Sequence, residues 1–229
     1  MTYVADVAAL ARKDLLLELR AKETLPAMLL FVLSALTIMH FAVPTGGENV
    51  PGLGAEAQAA IREREEIASL GLLWVALVFT ALLGLTRAFV PEREQRVMDA
   101  LVLAPSDRSA IWLAKAIAVF AFLVAVELVA LPAFSLFFEP VDAMTVAAIL
   151  LANVGICTVG TLTGAMAVAG RARELILPLL FLPLVIPVVV GGIGASVGGS
   201  PRYLLFLALY DALFGLLAWA SFDYVVAER

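Results

Sequence analysis

"EREQRVMDALVLAPSDRSAIWLAK", residues 92–115, is a charged stretch set between two long apolar runs. Val97, Met98, Leu101 and Ala104 share one helical face, while Arg93, Arg96 and Asp99 point elsewhere, so residues 92–104 read as a short amphipathic helix. Pro105 stops it, and Ser106 or Asp107 can cap the apolar helix that follows. A segment of this kind belongs outside the hydrocarbon of a bilayer, and that reading makes its two apolar neighbours membrane spans.

Composition supports the same reading of the whole chain. Hydrophobic residues make up 63% of the 229 and charged residues 15%, well past the roughly half-apolar content of soluble domains. The expected fold class is an all-α integral membrane protein. Six runs approach the ~20 residues needed to cross a bilayer core: about 25–43, 68–90, 110–136, 143–169, 175–196 and 202–226. They form a single transmembrane domain over 1–229. An amphipathic elbow helix is expected over 2–23, with Val4, Ala8, Ala11, Leu15 and Leu19 on one stripe. No small-x-small cleavage pattern follows Val43, so the first span is expected to be retained.

Lys and Arg orient the bundle. With the N-terminus inside, the inner segments carry Arg12, Lys13, Arg20, Lys22, Arg87, Arg93, Arg96, Arg108, Lys115, Arg171, Arg173 and Arg229. The outer segments carry only Arg62, Arg64 and Arg202, so both termini are expected in the cytoplasm. Residues 92–104 then form a cytoplasmic helix between spans two and three, suited to docking a partner. The outer loop 44–67 opens with Pro44, Gly46, Gly47, Pro51 and Gly52 and continues as "AEAQAAIREREEIAS", which predicts a short surface helix outside the membrane.

Several function classes are excluded. The net charge of −5 argues against nucleic acid, and one Cys and one His cannot build a disulfide framework or a Cys/His metal cluster. No phosphate-cradling G-x-x-x-x-G-K-[ST] occurs, nor H-E-x-x-H, nor a nucleophile triad, so no catalytic residues and no metal ligands are expected. Any ATP hydrolysis that powers transport must come from another subunit.

Polar residues at membrane depth are the remaining candidates. Asp211 falls close to the middle of span six, and Glu127 and His40 in the outer halves of spans three and one. Asp211 and Glu127 are candidate substrate-path residues, and His40 is either a packed histidine or a transient ligand to a substrate. Gly160 and Gly164 form a small-residue row in span four suited to close helix packing. Pro178, Pro183 and Pro187 should bend span five.

The runs "GLLWVALVFTALLGLTRAF" (71–89), "ALVLAPSDRSAIWLAKAIA" (100–118) and "GAMAVAGRARELILPLLFLPLVIPVVV" (164–190) resemble the permease B subunit of the cytochrome c maturation haem exporter, CcmB. "ARKDLLLELR" (11–20) is similar to that family's opening helix, and "VPEREQRVMDAL" after span two departs from its glycine-containing pattern. The resemblance implies a six-span half of a type-2 ABC exporter in the bacterial inner membrane, with two copies per complex. It implies a separate cytoplasmic ATPase subunit docked on 92–104, the coupling helix, and haem as substrate rather than as a tightly bound cofactor. A haem-handling membrane subunit, a small accessory membrane subunit and a haem chaperone outside are the further partners it implies. The alternatives from the residues are an exporter permease for a lipid, drug or glycan, a proton-driven carrier using Asp211 and Glu127, and a scaffold that couples ATP hydrolysis without conducting anything.

Overall fold

The computed structural model describes residues 3–42, 54–88, 107–169 and 173–227. These residues form seven helices and, among them, no strand: α1 Tyr3–Ala21, α2 Thr24–Ala42, α3 Ala55–Arg87, α4 Arg108–Phe137, α5 Ala143–Ala169, α6 Arg173–Gly198 and α7 Pro201–Ala227. Six of them, α2 to α7, are long and apolar enough to cross a membrane, as the composition requires. The protein is a multi-pass all-α membrane protein.

One expectation is corrected. The helix formers after Gly54 do not make a separate short surface helix; they run on into span two as one helix of 33 residues. At 1.5 Å per residue α3 is about 50 Å long, against a hydrocarbon core of about 30 Å, so its first turns stand clear of the membrane. No Gly or Pro lies between Ala55 and Leu70, and nothing in the backbone chemistry of that stretch breaks the helix.

α5 is the central element. It packs against α3, α4, α6 and α7, and its buried residues Ala148, Ile149, Ala152 and Ile156 join a core with Leu73, Trp74 and Leu85 of α3 and Phe181 of α6. α1 packs on α4 through Val7 and Ala11 against Ala110 and Ala114. The end of the bundle that carries α1, the last turn of α3 and the first turns of α4 is called basal below, and the opposite end distal. Lys22 joins α1 to α2 in the left-handed region, at φ 54°, with its N–H on the Glu18 carbonyl 3.1 Å away, so the elbow bends sharply between the two helices.

Asp107 caps α4, accepting from the Ser109 N–H at 3.0 Å. Pro178, Pro183 and Pro187 all lie inside α6, which remains one helix. Tyr210 of α7 donates its hydroxyl to the Leu184 carbonyl at 2.6 Å, between two of these prolines. Side chains of a neighbouring helix are one means by which proline-rich spans keep their backbone satisfied.

Candidate functional site

Two groups of polar side chains are assembled by the bundle, one within the membrane and one at the basal end.

The membrane group lies in a single layer. Glu127 on α4, Asn153 on α5 and Asp211 on α7 each stand ten residues, about 15 Å, from the distal end of their helix. Glu127 is therefore level with Asp211 rather than with His40. Antiparallel neighbours bring these positions side by side. Asn153 donates its amide to both Glu127 oxygens, at 2.9 and 2.8 Å, and both side chains are buried.

On the other side of α5, Asp211 faces Gly155. A Cβ at Gly155 would stand 2.6 Å from Asp211 Oδ1 and 3.2 Å from the Tyr210 ring, so only a glycine lets α7 seat its carboxyl there. Asp211 is 9% exposed, and neither of its oxygens has a hydrogen-bond partner among the described residues. Tyr210, next in sequence, directs its hydroxyl to α6 instead. Cys157 is buried on α5, one turn from Asn153.

His40 stands apart from this layer, near the distal end of α2. Its Nδ1 donates to the Phe137 carbonyl at 3.1 Å, and its ring packs within 5.2–5.8 Å of Phe41, Phe137 and Phe138. Gly160 packs against α3, where a Cβ would come within 2.3 Å of Leu85; Gly164 is buried one turn further on.

The basal group is drawn from α1, the residues before α2, the end of α3 and the start of α4. Lys115, only 4% exposed, donates to the Ala88 carbonyl at 2.6 Å and pairs with Asp14 Oδ2 of α1 at 3.1 Å. Lys13 reaches Asp14 Oδ1 at 3.0 Å. Arg87, at the end of α3, pairs with Glu23 before α2 at 2.7 Å, and Ser109 Oγ lies 3.2 Å from the Tyr3 hydroxyl. The elbow helix is thus tied to the residues on both sides of 89–106. The coupling candidates Arg93, Arg96, Val97, Met98, Asp99 and Leu101 lie outside the described residues.

Two of these partnerships escape a reading of the sequence. Asn153 is a lone amide in "AILLANVGIC", and an amide at that depth is itself a signal, because it must find a partner on another helix. Lys115 counts in the sequence only as one of the inner-segment cations, yet it lies two turns inside α4, where burial demands a counter-charge such as Asp14. Among the described residues no group of His, Cys, Asp and Glu is placed to hold a metal ion.

Comparison with known proteins gives a consistent set of relatives. The family model described as CcmB protein matches residues 5–221. A protein named Heme exporter protein B from Paracoccus denitrificans is 29% identical over 229 aligned residues, 96% of this chain and 97% of that one. Proteins of the same name are 29% identical over 187 residues in Rhodobacter capsulatus, covering 80% of this chain and 79% of the relative. In Pseudomonas aeruginosa the identity is 34% over 151 residues, covering 62% and 68%.

Proposed function

Because the chain belongs to the CcmB family, which matches it almost end to end, we propose that it is the membrane permease subunit of a haem exporter serving cytochrome c maturation. The observation that carries this reading is the match of residues 5–221 to the CcmB protein family, together with the similarity to proteins named Heme exporter protein B, laid on six apolar helices of spanning length. ATP is hydrolysed by a separate subunit, since this sequence holds no phosphate-binding loop of its own. The basal end faces the cytoplasm in this reading, which the Lys and Arg distribution supports. Two copies work in one complex, alongside a haem-handling membrane subunit and its small accessory subunit, and haem passes to a chaperone outside.

Residues 92–104 are the docking helix for the ATPase. The elbow helix, held to Ala88 through Lys115 and Asp14, supports this role: whatever displaces the stretch after Ala88 also pulls on α1 and α4. Conformational work needs such differential contacts between states. Val97, Met98 and Leu101 supply the apolar anchors of the interface, and Arg93, Arg96 and Asp99 its rim.

The test is co-purification of the ATPase with membrane-inserted Leu101→Asp and Arg93→Ala variants. Leu101→Asp is expected to release the ATPase, and Arg93→Ala to change retention little, as exposed ion pairs contribute about 0–1 kcal/mol. Full retention by Leu101→Asp would move docking to another basal segment. At the level of the cell, deleting this chain should abolish c-type cytochromes; normal levels would favour a lipid, drug or glycan as substrate.

One observation favours a second reading, in which the subunit couples ATP hydrolysis to a haem-handling partner without conducting haem itself. Glu127 is buried and its two oxygens are both taken by Asn153. A photoreactive haem analogue that labels the partner subunit, and never α4, α5 or α7 of this chain, would select that reading.

A further inference from the structure

At the basal end, α1, the start of α2, the last turns of α3 and the first half of α4 line a partly open cavity of about 30 Å³. Its floor and walls are apolar: Leu17, Val119, Phe122, Ala118 and Gly84. Its polar lining consists of Asp14, Glu18, Lys115 and Thr24. The Thr24 hydroxyl is the telling group. Thr24 is 3% exposed, yet its Oγ1 makes no hydrogen bond to any described residue. Asp14 Oδ1, on a side chain 10% exposed, faces Lys13 Nζ at 3.0 Å but accepts no hydrogen bond in proper geometry.

The lining therefore presents two buried oxygens, Thr24 Oγ1 and Asp14 Oδ1, without a hydrogen bond among the described residues; Asp14 is charge-matched by Lys13 and Lys115, whereas the neighbouring Glu18 carboxylate has no ion pair among the described residues. A cation that brings its own N–H groups meets both demands. The volume sets its size. A water-sized group needs at least about 10–15 Å³, so the cavity takes an ammonium and the methylene that carries it, and little more.

The surroundings identify the source of that ammonium. α1 is an amphipathic helix whose Leu16, Leu17 and Leu19 are exposed beside the cavity, in the position of a helix lying at a bilayer surface. Anything that enters there with an apolar tail can lay that tail along these leucines. We propose that this cavity is a lipid-headgroup site that receives the primary ammonium of phosphatidylethanolamine, with Thr24, Asp14 and Glu18 as its acceptors. A choline head is excluded twice over, because its trimethylammonium is too large and has no N–H to donate.

This site stands independently of the proposed transport function. It is tested by native mass spectrometry of the purified full-length chain, equilibrated in detergent with equimolar dioleoyl phosphatidylethanolamine, phosphatidylcholine and phosphatidylglycerol. Retained phosphatidylethanolamine is expected to exceed phosphatidylcholine by about tenfold, the scale of one charge-assisted hydrogen bond. Glu18→Gln with Thr24→Val should bring that ratio near one, while Leu136→Ala, exposed at the distal end of α4, leaves it unchanged. Thr24→Val is close to isosteric and keeps the fold, and Ala118→Leu, which fills the space, should act in the same direction. Free ethanolamine in large excess should fail to displace the lipid. Equal retention of the ethanolamine and choline lipids, or an unchanged ratio in both cavity variants, overturns the site. Displacement by free ethanolamine overturns the assignment to a lipid.

Discussion

The two seams that α5 makes at mid-membrane treat a carboxyl in opposite ways. Toward α4, Glu127 is closed off by an amide that spans both its oxygens. Toward α7, Asp211 is buried against the bare backbone of Gly155 with no donor among the described residues. Both sit at one depth, so the bilayer charges both the same cost and only their partners differ. A paired polar group in the membrane ties two helices together, whereas an unpaired one is a burden on the fold that a role in the working cycle must justify. Glu127 belongs to the architecture, and Asp211 is the stronger candidate for function.

The sharpest way to break this contrast is to remove the amide. Asn153→Leu leaves Glu127 buried with both oxygens unsatisfied and is expected to lower stability by about 2–3 kcal/mol in detergent unfolding. Asp211→Leu removes a group that has nothing to lose and should change stability by less than about 1 kcal/mol, in either direction, while impairing export. The reverse ranking, with Asp211→Leu the more damaging to stability, would mean that Asp211 has a structural partner and Glu127 does not depend on its own.

A second test sharpens the Asp211 side alone. In Gly155→Ala the new methyl meets the carboxyl at 2.6 Å, and the seam must open or Asp211 must rotate; overpacking of this kind costs about 1–2 kcal/mol. Combined with Asp211→Ala, which vacates the space, the glycine substitution should cost nearly nothing. A double-mutant cycle with coupling below about 0.5 kcal/mol would show that the two positions do not share that space.

How much of this was legible in advance differs between fold and site for a physical reason. Six spans follow from composition, because hydrocarbon selects for apolar runs of a set length whatever their neighbours are. The elbow helix is visible from its stripe for the same reason. The length of α3 is a matter of what is missing, a helix breaker between Ala55 and Leu70: the helix formers there predict a helix, but nothing in their pattern says that it runs on into the span. Asp211 and Glu127 stand out as charges in apolar runs, but nothing local says that one has an amide across the seam and the other a glycine. Pairings such as Glu127 with Asn153, or Lys115 with Asp14, depend on which helices lie side by side and at what height. Those are properties of packing and not of any one helix's periodicity. His40 illustrates the converse: its residue type suggests an iron ligand, while its surroundings, three phenylalanine rings and a backbone carbonyl, are those of a packed side chain.

The smallest expected effect lies at the distal start of α5, where Asp142 gives a third environment for a carboxylate on the helix that carries Asn153 and Gly155. Asp142 Oδ1 accepts from the Thr145 N–H at 2.8 Å, in the manner of a helix cap. A hydrogen bond from the Thr145 side chain holds the Asp142 carboxyl below its usual range; burial opposes it, and backbone N–H groups, those of Thr145 and Met144 among them, add to it. Because the folded-state value is depressed, the stabilisation is fully present above the unfolded value near 4 and is lost as pH falls through the lower folded one. Asp142→Ala should cost about 1 kcal/mol at neutral pH, and less at pH 3, where the wild-type cap is itself being protonated. Asp142→Asn keeps a good cap without a titrating group, so it should match the wild type at pH 7 and lose less on acidification. The comparison is made by thermal unfolding of the three proteins at pH 7, 5 and 3. An alanine penalty that is the same at pH 3 as at pH 7 would mean that the Asp142 carboxylate does not cap α5, leaving Glu127 as the carboxyl with its donors on this helix.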